Sequence, residues 1–537
     1  MARAKPTRMQ ATTHSVGLVG LDAHRVDVEV DSGRGPAQFH LVGLAEATVR
    51  ESRVRVRAAL QQLGVELDEY VLTVSLSPAD LRKVGAGFDL AIACGVLGAL
   101  GKLPLEALEH TLLVGELALS GKLRPVRGVL PSLYRAPRLG LRRAIVPEGN
   151  AAEACAAAST RALDGEGGAA PLEIAIADSL LEVVEHLRGH VPLLRPTPSD
   201  RRPTIALAPV DMADIRGQQG ARRALEIAAA GAHNLLLVGP PGAGKTMLAR
   251  RLPTVLPPMT PGEALEVSAV HSVAGLLPQG AGLLEERPFR APHHSVSVAG
   301  LVGGGQPVRP GEVSLAHHGC LFLDELLELS RSTLEALRQP LEDGYVTVCR
   351  AKERASFPSR PMLVAAVNPC PCGHAGSPRC VCAPERVRSY RARLSGPLLD
   401  RIDMHLRLPP VDVRELGRSG ADGEPSAAVR ARVVRARAAQ TERQRAGVVG
   451  SSTNAALAQS ELLRVASPDA AGDALLRRAA EALGLSARAF GKVLRVARTI
   501  ADLEGSTAVS SAHVAEAVHL RLLERDAASV ALAGAQA

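Results

Sequence analysis

The sequence is poor in aromatic residues, since its 537 residues include six Phe, four Tyr and no Trp. Proteins that bind single strands by stacking bases need aromatic platforms, so this mode of nucleic-acid binding is excluded. The cores must instead be built from Ala, Val and Leu. Lysine is also scarce, with seven Lys beside 56 Arg. A Lys at a special position is therefore informative.

Long apolar runs are absent as well, and cysteines are few. No run reaches the roughly 18 apolar residues of a membrane span, and the basic N-terminal segment lacks the apolar core of a signal peptide. Eight Cys are too few for a disulfide scaffold and fit the reducing cytoplasm, so we expect a cytoplasmic protein without a membrane partner. The net charge of +8 permits a polyanionic partner but is spread over the whole chain.

The length and the local patterns divide the chain into segments. A domain takes about 150 residues, which predicts three or four domains here. Residues 1–188 mix strand and helix patterns, including alternating Val26, Val28 and Val30. Four prolines mark residues 189–206 as a linker. Residues 207–410 alternate between strands and helices, and residues 411–537 are helical.

A glycine-rich segment follows an apolar strand at 234–238. It matches G-x-x-x-x-G-K-[ST] between a strand and a helix at 247–252, which is the context of a phosphate-binding loop. Backbone N–H groups in such a loop surround phosphates at a helix N-terminus, where the helix dipole favours anions. The predicted nucleotide-binding residues of this segment are Gly239, Pro240, Pro241, Gly242, Ala243, Gly244, Lys245, Thr246 and Met247.

Polar residues follow two further apolar strands. Asp324 and Glu325 end the strand at 319–323, and we expect Asp324 to hold Mg²⁺ with Thr246 while Glu325 acts as general base. Lys245 would contact the terminal phosphates. Asn368 ends the strand at 363–367 and either orients the attacking water or only begins a turn before Pro369.

Taken together, these motifs resemble those of AAA+ ATPases in the magnesium-chelatase branch. Residues 287–295 (RPFRAPHHS), 301–305, 368–373 (NPCPCG) and 395–403 (SGPLLDRID) resemble the ComM/YifB family specifically. The resemblance covers nearly the whole chain. It implies an α/β fold with a P-loop AAA+ ATPase core and a C-terminal helical lid, preceded by an α+β Lon-protease-like (S5-type) domain. It also implies ATP and Mg²⁺ as cofactors.

The same resemblance implies a ring. The Arg of the LLDRID run enters the neighbouring subunit's ATP site in this branch, so Arg401 is expected to be an arginine finger in a hexamer. The alternative is an intrachain salt bridge with Asp400 or Asp403. Residues 486–498 resemble the second sensor helix, with Arg488 as the expected γ-phosphate contact. Arg495 and Arg498 are weaker candidates, and a solvated helix face explains each of these three equally well.

Four cysteines fall within thirteen residues. Cys370, Cys372, Cys380 and Cys382 form two C-x-C pairs among Gly, Pro and Ser, and four thiolates suit tetrahedral Zn²⁺. The usual zinc spacing is C-x₂₋₄-C, so free or redox-active thiols are the alternative, with His374 as a substitute ligand.

Residues 344–358 read as two strands around a basic tip. Arg350, Lys352 and Arg354 lie there, and the segment resembles the hairpin that projects into the pore of related helicases. Such a tip would contact the phosphates of single-stranded or branched DNA without reading bases. The alternative is an ordinary solvated hairpin. The arginine-rich stretch 429–445 is likewise interpreted as a solvated face or a DNA-facing strip.

Residues 113–130 and 146–150 resemble the proteolytic domain of Lon, which uses a Ser/Lys dyad. Leu130 occupies the position of the lysine, and the stretch matching the nucleophile, 83–94, contains no Ser. We therefore expect this domain to lack peptidase activity.

The resulting hypothesis is a hexameric ATPase that moves DNA by helicase-like branch migration in natural transformation. The alternatives are a magnesium-chelatase-like motor that remodels a protein partner, an ATP-dependent protease and, least favoured, a scaffold that binds ATP without hydrolysis.

Overall fold

The computed structural model describes residues 9–163, 172–197, 210–278, 280–350, 353–394, 396–410 and 423–521. The strands are β1 (Met9–Val19), β2 (Asp22–Arg34), β3 (Gln38–Val42), β4 (Tyr70–Ser77), β5 (Thr111–Leu113), β6 (Glu116–Leu117), β7 (Leu123–Arg124), β8 (Arg143–Pro147), β9 (Glu173–Ala177), β10 (Leu235–Val238), β11 (Phe289–Arg290), β12 (Gly303–Gly304), β13 (Arg309–Pro310), β14 (Cys320–Leu323), β15 (Tyr345–Arg350), β16 (Glu353–Pro358), β17 (Met362–Val367) and β18 (Met404–Arg407). The α-helices are α1 (Ala47–Arg50), α2 (Ser52–Gln62), α3 (Asp89–Ala99), α4 (Val129–Arg135), α5 (Ala151–Leu163), α6 (Leu180–Leu187), α7 (Gln219–Gly231), α8 (Lys245–Val255), α9 (Pro261–Ala274), α10 (Val298–Val302), α11 (Glu312–Leu315), α12 (Arg331–Ala336), α13 (Arg338–Asp343), α14 (Pro384–Ala392), α15 (Gly396–Leu399), α16 (Ser426–Arg445), α17 (Gln459–Val465), α18 (Ala470–Leu483), α19 (Ala487–Leu503) and α20 (Ser511–His519).

The N-terminal part forms a mixed seven-stranded sheet in the order β3-β4-β2-β1-β5-β8-β9. The pairs β1–β2 and β2–β4 are antiparallel, whereas β5, β8 and β9 continue from β1 in parallel. Parallel neighbours cannot be joined by a tight turn. Accordingly, α4 lies between β5 and β8 in the chain, and α5 lies between β8 and β9.

Small aliphatic side chains build the core of this part, as the composition predicts. Val26, Val28 and Val30 are buried at alternate positions of β2, which confirms the predicted strand. Every residue of α3 is buried, because this apolar helix packs against β1 and β2. Gly95 permits the close approach, since a Cβ there would lie 2.7 Å from Val30 Cγ2.

The central part forms a five-stranded sheet in the order β11-β14-β17-β10-β18, with every neighbouring pair parallel. Val238 pairs with Val367 of β17 and Arg407 of β18, and Leu323 of β14 pairs with Ala365. This register brings the C-terminal ends of β10, β14 and β17 to one edge. Ligands bind at that edge in open α/β sheets.

Helices cover both faces of the central sheet. Leu235 and Leu237 of β10 join an apolar cluster with α7, α8, α16 and α19. Leu236, between them, joins a separate cluster with Leu321 and Leu363. Burial on both faces explains why the sequence shows continuous apolar runs here rather than alternation.

The helical C-terminal part is attached through the arginines of α16. Arg432 pairs with Glu226 of α7 at 2.5 Å, and Arg443 pairs with Asp502 of α19 at 2.6 Å. Two further arginines of α16 donate to backbone carbonyls of α7 and α8. Several of these charges therefore hold the helix to its neighbours, which neither sequence interpretation anticipated. None of the helices in the described ranges combines the length and apolar character needed to cross a bilayer.

A buried carboxylate joins the N-terminal sheet to the central part. Ser272 Oγ in α9 donates to Glu153 Oε2 at 2.5 Å and accepts from the Gly128 amide at 3.1 Å. Glu153 also accepts from Leu130 N at 3.1 Å and Asn150 Nδ2 at 2.8 Å. Burial raises the pKa of Glu153. With three donors on one carboxylate, this contact fixes α9 against the N-terminal sheet.

Candidate nucleotide-binding site

The glycine-rich segment leaves β10 and turns directly into α8. Gly242 and Gly244 have φ values of +78° and +83°, which glycine adopts without a Cβ clash. A Cβ at Gly242 would meet no atom within 4 Å, so this side of the loop is open. The helix predicted at 247–252 begins at Lys245 and ends at Val255. The loop thus presents a helix N-terminus to an anion.

The other residues of the segment support the loop. Gly239 and Ala243 are buried, Pro240 is half-buried and Pro241 is exposed. Met247 packs against the central apolar cluster. Met247 therefore contacts the core of the domain in the described structure.

Lys245 reaches back into the loop. Its Nζ donates to Gly239 O at 2.6 Å, Pro240 O at 3.1 Å and Asn368 Oδ1 at 2.9 Å. Burial lowers the pKa of Lys245, while the two acids after β14 act in the opposite direction. The ammonium can exchange these three oxygens for phosphate oxygens. The structure thus brings together the Lys and Asn that the sequence placed at two separate strand ends.

Thr246 and Asp324 form a candidate magnesium site. Thr246 Oγ1 donates to Asp324 Oδ2 at 2.8 Å, and Asp324 Oδ1 accepts from Glu325 N at 2.9 Å. A hydroxyl beside a carboxylate supplies the hard oxygen ligands that Mg²⁺ prefers next to phosphates. The donor set therefore fits Mg²⁺ with a nucleoside triphosphate.

Glu325 is held by a contact that sequence reasoning missed. Its backbone lies at φ +48°, in the left-handed region that non-glycine residues seldom adopt, and its Oε2 lies 3.2 Å from His294 Nδ1. The ring of His294 lies 4.0 Å from that of His293. Unusual backbone conformations cluster at active sites, which fits the predicted role of Glu325.

Arg401 is paired within its own chain. Its Nη2 lies 2.5 Å from Glu342 Oε1, and the side chain is 10% exposed. The sequence had offered Asp400 and Asp403 as partners. Asp403 Oδ2 instead accepts a hydrogen bond from the backbone N–H of Asn234 at 2.8 Å. The acid that pairs with Arg401 is Glu342, which is distant in the sequence.

Arg488 lies beside Arg401. Its Nη1 is 3.5 Å from Glu342 Oε1 and its side chain is 66% exposed. Both cations that were predicted to reach a γ-phosphate thus share one acid. Of the weaker candidates, Arg495 donates to Leu457 O at 2.7 Å, and Arg498 is buried against Asp502 at 3.0 Å.

The basic hairpin is formed by β15 and β16. Arg354 is exposed and pairs in register with Cys349. Arg350 ends β15, whereas Lys352 lies outside the described residues. In the middle of β16, Ser356 lies against the turn at Gly20, where a Cβ would lie 2.7 Å from Ser356 O. The hairpin therefore packs on the turn between β1 and β2.

The four cysteines converge after β17. All four sulfurs lie within 4.8 Å of one another, and all four thiols are free. The His374 amide, which points at the sulfur, lowers the pKa of Cys372 to about 6. Thiolates close together are the ligand set of Zn²⁺.

A second cluster contains two histidines. Glu266 Oε2 lies 2.9 Å from Nε2 of both His317 and His318. Nδ1 of His317 accepts from the Arg360 amide at 3.0 Å, so the neutral ring carries its proton on Nε2. A metal at Nε2 would displace that proton and leave an imidazolate. We therefore interpret the cluster as a hydrogen-bonded support of α9.

Comparisons with known proteins agree with this geometry. The family described as "Magnesium chelatase, subunit ChlI" matches residues 211–416. A second family, described as "Magnesium chelatase, subunit ChlI C-terminal", matches residues 423–521. "Subunit ChlI of Mg-chelatase" matches residues 28–150.

Full-length relatives match as well. The "Uncharacterized protein Rv2897c" of Mycobacterium tuberculosis is 46% identical over 94% of this chain and 97% of its own length. "Competence protein ComM" of Haemophilus influenzae is 42% identical over 96% and 98%, respectively. "Uncharacterized protein YifB" of Escherichia coli is 41% identical over 95% and 97%. The chain belongs to the ComM/YifB family.

This ComM/YifB protein also resembles part of Lon. "Lon protease 2" of Bacillus subtilis is 22% identical over 139 residues, 23% of this chain and 25% of that protein. Leu130 is buried, and Lys83 is buried with Nζ donating to Leu76 O at 2.8 Å.

In this ComM/YifB chain, the edge of the central sheet beside the glycine-rich loop therefore collects five groups. An ammonium, a hydroxyl, two carboxylates and an amide surround the open glycine-rich loop, and they are supplied by Lys245, Thr246, Asp324, Glu325 and Asn368. This set can bind a triphosphate with Mg²⁺ and place a base beside the terminal phosphate.

Proposed function

We propose that this protein is an AAA+ ATPase that works as a hexameric ring and couples ATP hydrolysis to movement along DNA. The observation that carries the proposal is the pairing of Lys245 with Asn368 and of Thr246 with Asp324 at one sheet edge. The 42% identity to a protein named "Competence protein ComM" supports a role in helicase-like branch migration during natural transformation. We place this role in the cytoplasm.

The residues divide the hydrolytic step among them. Lys245 holds the terminal phosphates, and Thr246 with Asp324 holds Mg²⁺, which when bound neutralises phosphate charge. Asn368 orients a water against the γ-phosphorus, and Glu325 takes the proton of that water as the new P–O bond forms. The bond to the β-phosphate oxygen breaks, and ADP leaves. Before this step Glu325 must turn away from His294.

The ring supplies the missing cation. In the single chain Arg401 is held by Glu342, and Arg488 lies on the same acid. We propose that assembly presents Arg401 to the neighbouring subunit's γ-phosphate, where a guanidinium stabilises transition-state charge. In this assignment the helices from 426 to 519 form the lid, and the N-terminal sheet is an S5-type domain without peptidase activity.

The β15–β16 hairpin is the proposed DNA contact. The exposed Arg354 and its basic neighbours Arg350 and Lys352 would bind backbone phosphates, because the chain lacks the rings needed for base stacking. We also propose Zn²⁺ as a structural ion on the four cysteines.

The decisive experiment measures ATP turnover without DNA and with single-stranded, duplex or four-way-junction DNA. We expect single-stranded or junction DNA to accelerate hydrolysis, and Glu325→Gln to abolish turnover while ATP still binds. Arg354→Ala should lower DNA stimulation and reduce the salt slope of binding by about 0.9 per lost phosphate contact. Arg477→Ala is the matched control, because Arg477 is 72% exposed on α18. Turnover indifferent to every DNA would refute the DNA motor but not the ATPase.

A chelatase-like motor acting on a protein partner is the second candidate. It is favoured by the family descriptions, which name magnesium chelatase over three segments of the chain. An ATPase unaffected by DNA but stimulated by a protein would support it. An ATP-dependent protease is disfavoured by Leu130, and degradation of casein would revive that function.

A further inference from the structure

The cysteine sulfurs lie at distances that fit one zinc ion. Zinc–sulfur bonds of about 2.3 Å in a tetrahedron place the sulfurs about 3.8 Å apart. Cys370 Sγ lies 3.3 Å from Cys372 Sγ and 3.9 Å from Cys380 Sγ, and Cys372 lies 3.8 Å from Cys380. Cys382 Sγ is within 4.8 Å of the other three. No described pair is a disulfide.

Backbone amides surround these sulfurs. The amide of Ala375 donates to Cys370 Sγ at 3.2 Å, and the amides of His374 and Val381 point to Cys372. Such N–H···S contacts offset the negative charge of four thiolates around a divalent ion and orient them.

The loop that carries the cysteines touches the phosphate-binding loop at two points. Asn368, two residues before Cys370, accepts the Lys245 ammonium at 2.9 Å. Gly373, between the two C-x-C pairs, is buried against Pro241, since a Cβ there would lie 2.4 Å from Pro241 Cδ. Gly373 has φ +83°, so the turn that makes this contact needs glycine.

We infer that Zn²⁺ bound by Cys370, Cys372, Cys380 and Cys382 holds Gly373 against Pro241 and thereby keeps the phosphate-binding loop competent for nucleotide. This regulation rests on the proposed ATP site and extends it to metal availability and thiol oxidation. Without the ion, four sulfurs are free to separate or oxidise, and the turn at Gly373 loses its anchor. The phosphate-binding loop then samples conformations that bind nucleotide poorly.

The first test is metal content. The full-length protein, reconstituted with Zn²⁺ and freed of excess ion, should hold one zinc per chain by elemental analysis. Cys372→Ser and Cys380→Ser should lose it, whereas Cys155→Ser, a half-buried cysteine of α5, should retain it. No bound zinc in the reduced wild-type protein, or a disulfide among the four cysteines under reducing conditions, would overturn the inference.

The second test measures binding of a fluorescent ATP analogue with Mg²⁺. Zinc removal should weaken binding about tenfold, as expected if the competent loop conformation falls to about a tenth of the population, and added Zn²⁺ should restore it. Gly373→Ala should keep its zinc but bind the analogue more weakly, because the new Cβ meets Pro241. Gly376→Ala, also at positive φ but with open space around a Cβ, is the control for backbone strain.

The outcomes separate this inference from the proposed function. Equal nucleotide affinity with and without zinc would refute the coupling, and equal affinity of the Gly373→Ala and Gly376→Ala variants would refute the contact at Pro241. Zinc-dependent binding together with DNA-insensitive turnover would leave the inference intact and remove the DNA motor. Thermal melting of each variant distinguishes a local loss from unfolding.

Discussion

Single residues at the candidate nucleotide-binding edge are held by partners within the chain. Lys245 is bonded to loop carbonyls and Asn368, Glu325 is paired with His294, and Arg401 is paired with Glu342. These contacts satisfy the charged groups in the described chain, and in the proposed mechanism nucleotide or assembly displaces them. The residue whose role is least evident from the sequence is His294.

We predict that His294→Ala raises DNA-independent ATP turnover several-fold and reduces stimulation by DNA. The reason is that Glu325 loses the partner that holds its carboxylate, so it turns more often toward the water. Steady-state turnover with and without DNA measures this effect.

His293→Ala is the matched control, because His293 Nδ1 lies 2.8 Å from Ser295 Oγ rather than beside Glu325. A lower basal rate in His294→Ala, equal to that of His293→Ala, would contradict a restraining role.

Among the elements, α9 and the β15–β16 hairpin connect the central sheet to the N-terminal sheet. The middle of β16 packs on Gly20, and α9 provides Ser272 to the buried Glu153. Movement of the N-terminal sheet would therefore reach both α9 and the proposed DNA contact.

Ser272→Ala should lower the free energy of unfolding by about 1–3 kcal/mol. The reason is that the buried carboxylate of Glu153 loses a donor and the backbone amide of Gly128 loses an acceptor. Thermal unfolding and limited proteolysis measure the loss. Ser268→Ala in the same helix removes a buried hydroxyl that bonds to Ala264 O and to the Leu284 amide instead. If Ser268→Ala lowers the stability of the protein and Ser272→Ala does not, the contact between Ser272 and Glu153 contributes nothing to stability.

At the scale of the whole molecule, the chain carries the residues of the proposed phosphate-binding edge, while Arg401, the proposed arginine finger, is paired with Glu342 of the same chain. An active site completed only by a neighbour predicts complementation between inactive subunits. The single chain also buries several uncharged histidines, which makes its stability depend on pH.

Arg401→Ala and Lys245→Ala should each be inactive alone and regain partial ATPase activity when mixed. In a mixed ring, an intact loop of one subunit can meet an intact Arg401 of the next. Turnover against mixing ratio measures this complementation. If mixtures of the two variants form the same oligomer but show no ATP turnover at any mixing ratio, Arg401 does not act in trans.

Stability should fall as the pH decreases from about 7 to about 5. Burial lowers the pKa of His233 and of His317 to about 4, below the ordinary 6.5. Between these values the unfolded chain binds protons that the folded chain does not. Each such histidine can therefore lower the free energy of unfolding by about 1.4 kcal/mol per pH unit. Melting temperatures across this range check the prediction, and His233→Gln should flatten the dependence.

Much of the site was predictable because its signals are local. The Gly-rich spacing before Lys245, the apolar run before Asp324 and the strand ending at Asn368 each lie within about a dozen residues, and the parallel register of β10, β14 and β17 then brings them to one edge. The strand around Val26, Val28 and Val30 was predictable for the same reason, since alternating burial produces a period of two.

The sequence by itself determined the chemistry of the phosphate loop and the poverty in aromatic rings that disfavours base stacking. Only the tertiary structure decided the partners that lie far apart in the chain. Glu342 rather than Asp400 or Asp403 holds Arg401, and Gly373 touches Pro241 across 132 residues. A pattern within one segment records local periodicity and turn chemistry, but it does not record which surfaces the folded chain brings together.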